Sequence, residues 1–172
     1  MKKLCILAGL ACLLSGISSA KAEAPQMIGE YGDWVAYYYR DKAGPVCYMA
    51  SAPKKDEGKY SRRGDIYAVV THRPAEKSFD VININAGYTY KTDAKVTIKI
   101  GAQTFDRLFT SGDKAWSVSE KVDKDIVEAM KRGSRMVVHG TSSKGTQTKD
   151  TYSLNGFSSA YKAITNKCKS SK

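Results

Sequence analysis

Apolar positions recur along this chain in short bursts of four to six residues, and the spacing between them changes character only twice. Trp34 to Tyr39, Val46 to Ala50, Ile66 to Thr71, Val81 to Ala86, Val96 to Ile100, Phe105 to Thr110 and Ala115 to Val118 are rich in β-branched and aromatic residues and separated by turn formers. That composition and spacing predict strands. In one of them Val96, Ile98 and Ile100 alternate with Lys95, Thr97 and Lys99, the pattern of a strand with one face in a core and the other in water. Ile66 to Thr71 is apolar on both sides, as a central strand covered on both faces would be. Ala24 to Gly32 reads as an entry segment, and Pro53 to Gly64, almost devoid of apolar residues, as a solvated loop.

The first change of period follows Asp123, which is placed to cap a helix whose Ile126, Val127 and Met130 share a face and which Lys131-Arg132-Gly133 terminates. Met136 to Val138 and Thr151 to Leu154 return to strand character, joined by the polar stretch Gly140 to Lys149. The second change places Phe157, Ala160, Tyr161 and Ile164 on one stripe of a closing amphipathic helix, with Cys168 one turn further on. The expected fold is mainly β: a β-sandwich or partly open β-barrel of eight to ten short strands with two short helices, the last one C-terminal.

Residues 1–22 have a different logic. Lys2 and Lys3 precede an apolar run of 14 residues, Leu4 to Ile17, and Ala20-Lys21-Ala22 offers an A-x-A cleavage site. This is the layout of a secretory signal peptide, and the run is shorter than the roughly 18 residues a spanning helix needs. Cleavage after Ala20, Ala22 or Ala24 fits, and lipidation at Cys12 is the rival reading. Residues 23–172 then form a single mature domain with no transmembrane span, exported to the periplasm, the outer membrane or the medium.

Export changes how charge and cysteines are read. The 28 basic and 17 acidic residues of the chain become 25 against 17 once Lys2, Lys3 and Lys21 leave, a net +8. Such a balance favours anionic partners, and outside the cytoplasm these are lipopolysaccharide, anionic lipid, acidic polymers or a host-cell surface rather than nucleic acid. The basic residues concentrate in two loops, Lys54, Lys55, Lys59, Arg62 and Arg63 in one, Lys144 and Lys149 in the other, and these seven are the candidate binding residues. Cys5 and Cys12 go with the leader, so Cys47 and Cys168 are expected to pair in an oxidising compartment.

Motifs for catalysis are sparse. His72 and His139 lie far apart without metal-ligand spacing, so no metal or other cofactor is expected. No G-x-S-x-G elbow occurs, and Gly140 to Thr146 has P-loop glycine spacing but puts Thr146 where the lysine must be. The acidic residues sit beside lysines or in turns, with none in an evidently apolar setting. Arg63-Gly64-Asp65 matches an adhesion tripeptide but is also ordinary turn chemistry before a strand.

In order along the chain, Gly32-Asp33-Trp34, Val46-Cys47-Tyr48-Met49, Thr71-His72-Arg73-Pro74, Ala86-Gly87-Tyr88, Ala115-Trp116, Met130-Lys131-Arg132-Gly133, Gly140-Thr141-Ser142, Gly145-Thr146, Tyr152-Ser153-Leu154-Asn155-Gly156-Phe157, Ala160 and Cys168 resemble the invasion-associated locus B family of alphaproteobacterial envelope proteins. The resemblance runs from about Ile28 to Cys168. It implies an exported envelope protein, linked in pathogenic members to entry into host cells such as erythrocytes, and it brings no established active site. The resulting expectation is a non-enzymatic envelope protein that binds an anionic surface or protein partner, with an envelope hydrolase using His72 or His139 as the alternative.

Overall fold

The computed structural model describes residues 24–106 and 108–170, so the leader with its cleavage positions at Ala20 and Ala22 lies outside the described residues. Among these, twelve strands form two antiparallel sheets. Strands β1 (Gln26–Tyr31), β2 (Trp34–Arg40), β3 (Pro45–Ser51), β5 (Tyr67–Arg73) and β6 (Ser78–Asn85) run side by side in the seven-stranded sheet, which β10 (Lys114–Ser117) and β9 (Leu108–Ser111) complete. The five-stranded sheet has the order β4 (Lys55–Gly58), β12 (Gln147–Ser153), β11 (Arg135–Thr141), β7 (Thr97–Ile100) and β8 (Gln103–Phe105). Helix α1 (Glu120–Arg132) packs on β6, and α2 (Phe157–Ser170) lies across β2 and β3. The arrangement is sandwich-like and not a closed barrel, with the last helix at the C-terminal end as expected.

One continuous core joins the layers. Ala36, Met49, Val70 and Ile82 from the larger sheet, Ile98, Met136, Val138 and Tyr152 from the smaller, and Ile126, Met130, Phe157 and Ile164 from the helices are all buried. The alternation predicted for residues 95–100 holds: Val96, Ile98 and Ile100 face inward while Lys95 and Lys99 are exposed.

Several local expectations fail for identifiable reasons. Residues 26–31 pair with β2 and form an edge strand, although their burial is too slight to leave a hydrophobic pattern. Residues 55–58, read as loop, pair with β12 although all four are exposed, because backbone hydrogen bonds need no apolar side chain. The single run at 105–110 divides into β8 and β9, which join different sheets. Central strand β5 has one fully buried face and one only half-buried, not two covered ones. Helix α1 begins earlier, at the cap Ser119, whose side chain accepts from the Val122 N–H. Asp123 does not cap; it is buried and accepts a 2.9 Å hydrogen bond from the Ile82 N–H, and burial raises its carboxyl above the usual range.

The C-terminal helix is held by four kinds of contact. Phe157 meets Trp34 edge-on with ring centroids 5.0 Å apart, and the Tyr161 hydroxyl donates to Asp80 at 2.6 Å. Cys168 forms the expected disulfide with Cys47, with Cα atoms 5.9 Å apart. His72 is buried between β5 and α2: its Nδ1 accepts from the Asp80 N–H at 3.1 Å, which puts the proton on Nε2, 3.2 Å from Thr165 Oγ1.

That neutral tautomer makes the clamp sensitive to acid. Burial holds the His72 pKa below its ordinary 6.5, with Asp80 opposing and Lys131 assisting. The unfolded chain therefore takes up the proton first, so the contribution of His72 is complete above about pH 6.5 and is lost as pH falls toward the folded-state value. Urea unfolding is expected to show a lower midpoint at pH 5 than at pH 7.5, with the step reduced in His72→Gln. An unchanged step in that variant would assign the acid sensitivity elsewhere.

Candidate functional site

Pairing of β4 with β12 brings the two basic loops together at one end of the smaller sheet. The hairpin between β11 and β12 is tighter than expected, only residues 142–146, and is closed by Ser142 N–H to Thr146 O and by Thr146 N–H to Ser142 Oγ. This confirms that the Gly140 to Thr146 segment joins two strands. A cleft of about 410 Å³ lies between this hairpin, the segment 59–62 and the turn at Tyr88-Thr89. Lys59, Arg62 and Lys144 stand around it with the hydroxyls of Tyr60, Ser61, Tyr88, Ser143 and Thr148. Those three cations have no ion pair with a carboxylate among the described residues, and all are exposed.

The other four candidate residues do something else. Arg63 is not a solvated loop cation: its side chain is 3 % exposed and forks onto Asp150, Nη1 to Oδ1 at 2.6 Å and Nη2 to Oδ2 at 2.5 Å. Its Nε donates to the Ala86 carbonyl at 2.6 Å, and its guanidinium lies 5.3 Å from the Tyr60 ring and 5.0 Å from the Tyr88 ring. The adhesion tripeptide therefore keeps its arginine inside the domain. Burial disfavours the Arg63 cation, but the Asp150 carboxylate outweighs it and holds the arginine above its ordinary value. On Asp150 burial pushes the carboxyl upward while the guanidinium pulls against it, so at least two carboxylates, Asp123 and Asp150, occupy the desolvated settings that the sequence concealed. Lys54 pairs with Asp33 at 2.5 Å, Lys149 with Glu57 at 3.0 Å, and Lys55 is exposed on β4.

Arg63 thus packs against Tyr60 and Tyr88, two of the residues that line the cleft. Close approach makes this possible: Gly64 N–H donates to the Gly87 carbonyl, and Gly87, at φ +67°, leaves no room for a Cβ, which would fall 2.4 Å from the Gly64 oxygen. Gly140 similarly leaves space for the Tyr88 hydroxyl, which shares a 2.6 Å hydrogen bond with Thr148. Tyr60, Tyr88 and Thr148 were missed from the sequence, since tyrosines in core and cleft look alike there.

Neither histidine lines this cleft. His72 is enclosed as described, and His139 lines an open trough on β11 without a hydrogen bond to a hydroxyl or carboxylate among the described residues. No group of three or more metal-ligating side chains occurs among the described residues, and no described helix is long and apolar enough to cross a membrane.

Fold and site together define a disulfide-clamped, two-sheet domain that presents a hydroxyl-lined cationic cleft at one end of its smaller sheet. The sequence profile of the Invasion associated locus B (IalB) protein family matches residues 34–165, and the chain belongs to that family. Its fold is similar to that in the crystal structure of invasion associated protein B from Bartonella henselae, at 17% sequence identity and a TM-score of 0.59, covering 87% of this chain and 100% of that one. No functionally curated protein matches the sequence.

Proposed function

We propose that this chain is an exported, non-enzymatic envelope protein that binds an anionic surface or an acidic protein partner through the cleft between its two basic loops, with a role in host-cell invasion. The carrying observation is the convergence of Lys59, Arg62 and Lys144, without carboxylate partners among the described residues, on one hydroxyl-lined cleft. Hydroxyls orient an anion's oxygens while the cations supply attraction and association rate. Export fits the disulfide, since such bonds persist in oxidising compartments. The invasion role rests on family membership and on the name of the Bartonella protein.

Lipopolysaccharide micelles and vesicles containing anionic lipid are suitable probes. Each exposed cation near an anionic surface is worth about 1 kcal/mol, so replacing Lys59, Arg62 and Lys144 with glutamine should weaken binding by roughly a hundredfold. Raising salt from low to high should weaken the parent protein progressively, because exposed charges are screened within about 10 Å at 0.1 M. Affinity that is flat with salt, or equal in the triple variant, would exclude the cleft.

A further inference from the structure

The outer face of the five-stranded sheet carries a second concentration of positive charge, which shares only Lys149 with the residues singled out in the two basic loops. Cross-strand registers place Lys149 beside His139, His139 beside Thr97, and Val137 beside Lys99, while Arg135 lies on the same face of β11. With Arg132 at the end of α1 and the Gly133-Ser134 link, Lys99, Arg135, Val137, His139 and Lys149 line a trough of about 540 Å³ with no acidic side chain in its wall among the described residues. Lys99 and Arg135 are exposed and have no carboxylate partner among the described residues; Lys149 is shared with Glu57, and Arg132 lies 3.6 Å from Glu128.

We propose that this trough is a second anion site, separate from the hairpin cleft, that takes a linear chain bearing successive phosphate groups and couples its binding to protonation of His139. The dimensions favour a chain. Arg135 and His139 are four residues apart on one strand, about 13 Å, whereas a single tetrahedral oxyanion spans only a few ångströms. Concavity disfavours a planar bilayer: His139 is half-buried while the cations around it are exposed, so a flat surface meets the rim before the imidazole. Arginine's planar fork suits phosphate oxygens, and among the described residues Val137 is the one large apolar side chain of the trough wall.

His139 is the reporter within the trough. The groups facing it are Lys149 and, behind the sheet, Asp150 from β12, Lys99 from β7 and Arg135 on its own strand, with Glu57 of β4 reaching Lys149. Burial, then Lys99 and Lys149, hold its pKa below 6.5, with Asp150 opposing. A bound polyphosphate offsets those cations and favours the imidazolium. By linkage, anything that raises the histidine pKa must itself bind more tightly as pH falls through the same window.

The test is an NMR titration of the His139 imidazole in the mature protein with long-chain linear polyphosphate, whose internal phosphates stay ionised from pH 5 to pH 8. A rise of about one pKa unit on saturation is expected, with roughly tenfold tighter binding at pH 5 than at pH 8. In His139→Gln the ratio of the affinities at pH 5 and pH 8 should fall to near one. Lys99→Gln with Arg135→Gln should weaken binding at least tenfold, whereas the triple glutamine variant of Lys59, Arg62 and Lys144 should keep both the affinity and the His139 shift. An unmoved His139 resonance would overturn the proposal. So would loss of polyphosphate binding in the hairpin variant, which would put the anion in the other cleft, or equal shifts of His139 with phosphate-lipid vesicles, which would make the occupant a surface. The hairpin reading is judged separately, by lipopolysaccharide and vesicle binding in the two variants.

Discussion

Replacing Cys47 and Cys168 together with alanine is expected to lower the unfolding free energy by about 4–5 kcal/mol, most of the stability of an ordinary domain. The bond closes a loop with a sequence separation of 121, so the reduced unfolded chain regains a large set of conformations that the crosslinked one lacks. Both sulfurs are buried, so the alanine pair also gives up packing beside β3. The loss should not be uniform. Phe157, Ala160 and Ile164 still bury the first part of α2, while the turn carrying Thr165 and Cys168 relies on the bridge and on the His72 contact. Hydrogen exchange in the reduced parent protein should therefore accelerate first at the end of α2 and later in β2 and β3. A shift in unfolding free energy of less than about 1 kcal/mol on reduction would mean that apolar packing alone seats the helix.

Arg63→Ala should be nearly as damaging, at about 3–5 kcal/mol, because it leaves Asp150 ionised and buried without its fork partner. The same change removes the cation between Tyr60 and Tyr88 and the donor to the Ala86 carbonyl. Arg63→Lys is a poor rescue, since one ammonium cannot span both Asp150 oxygens and the carbonyl together. The deficit has a pH signature. Without the guanidinium the folded-state pKa of Asp150 rises further, so protonation favours the folded variant and the deficit shrinks as pH falls toward 4. Replacing both partners, Arg63→Met with Asp150→Leu, should recover most of the loss, as neither charge is then buried. Urea midpoints for the two single variants and the double give the coupling directly. A cost below about 1 kcal/mol for Arg63→Ala would show that water reaches Asp150 and that the pair is not a buried one.

Much of this architecture is a local property and was legible without coordinates. The alternation at 95–100, the stripe Phe157, Ala160, Tyr161 and Ile164, and the isolated cysteines at 47 and 168 each carry their meaning in a few residues. Strands β1 and β4 were not legible, because an edge strand is held by backbone hydrogen bonds and its exposed side chains leave no hydrophobic trace. Part of the cleft was legible too: the basic composition of the two loops singled out Lys59, Arg62 and Lys144.

What composition leaves open is which member of a charged run faces water. Arg62 and Arg63 are neighbours of identical type, yet one is exposed and the other is sealed against Asp150, 87 positions away. The same holds for Asp123, taken by its sequence for a helix cap and used by the fold to accept from Ile82 on another element. Sequence by itself determined the period of each segment, the place of the helices and the sign of the charge, since these follow from adjacent side chains and the geometry of one strand or helix. Only the tertiary structure decided which charges are paired, which are buried and which converge on a cleft or trough. Electrostatic partners act across space at 3–4 Å, and that distance is set by the crossing of strands far apart in the chain.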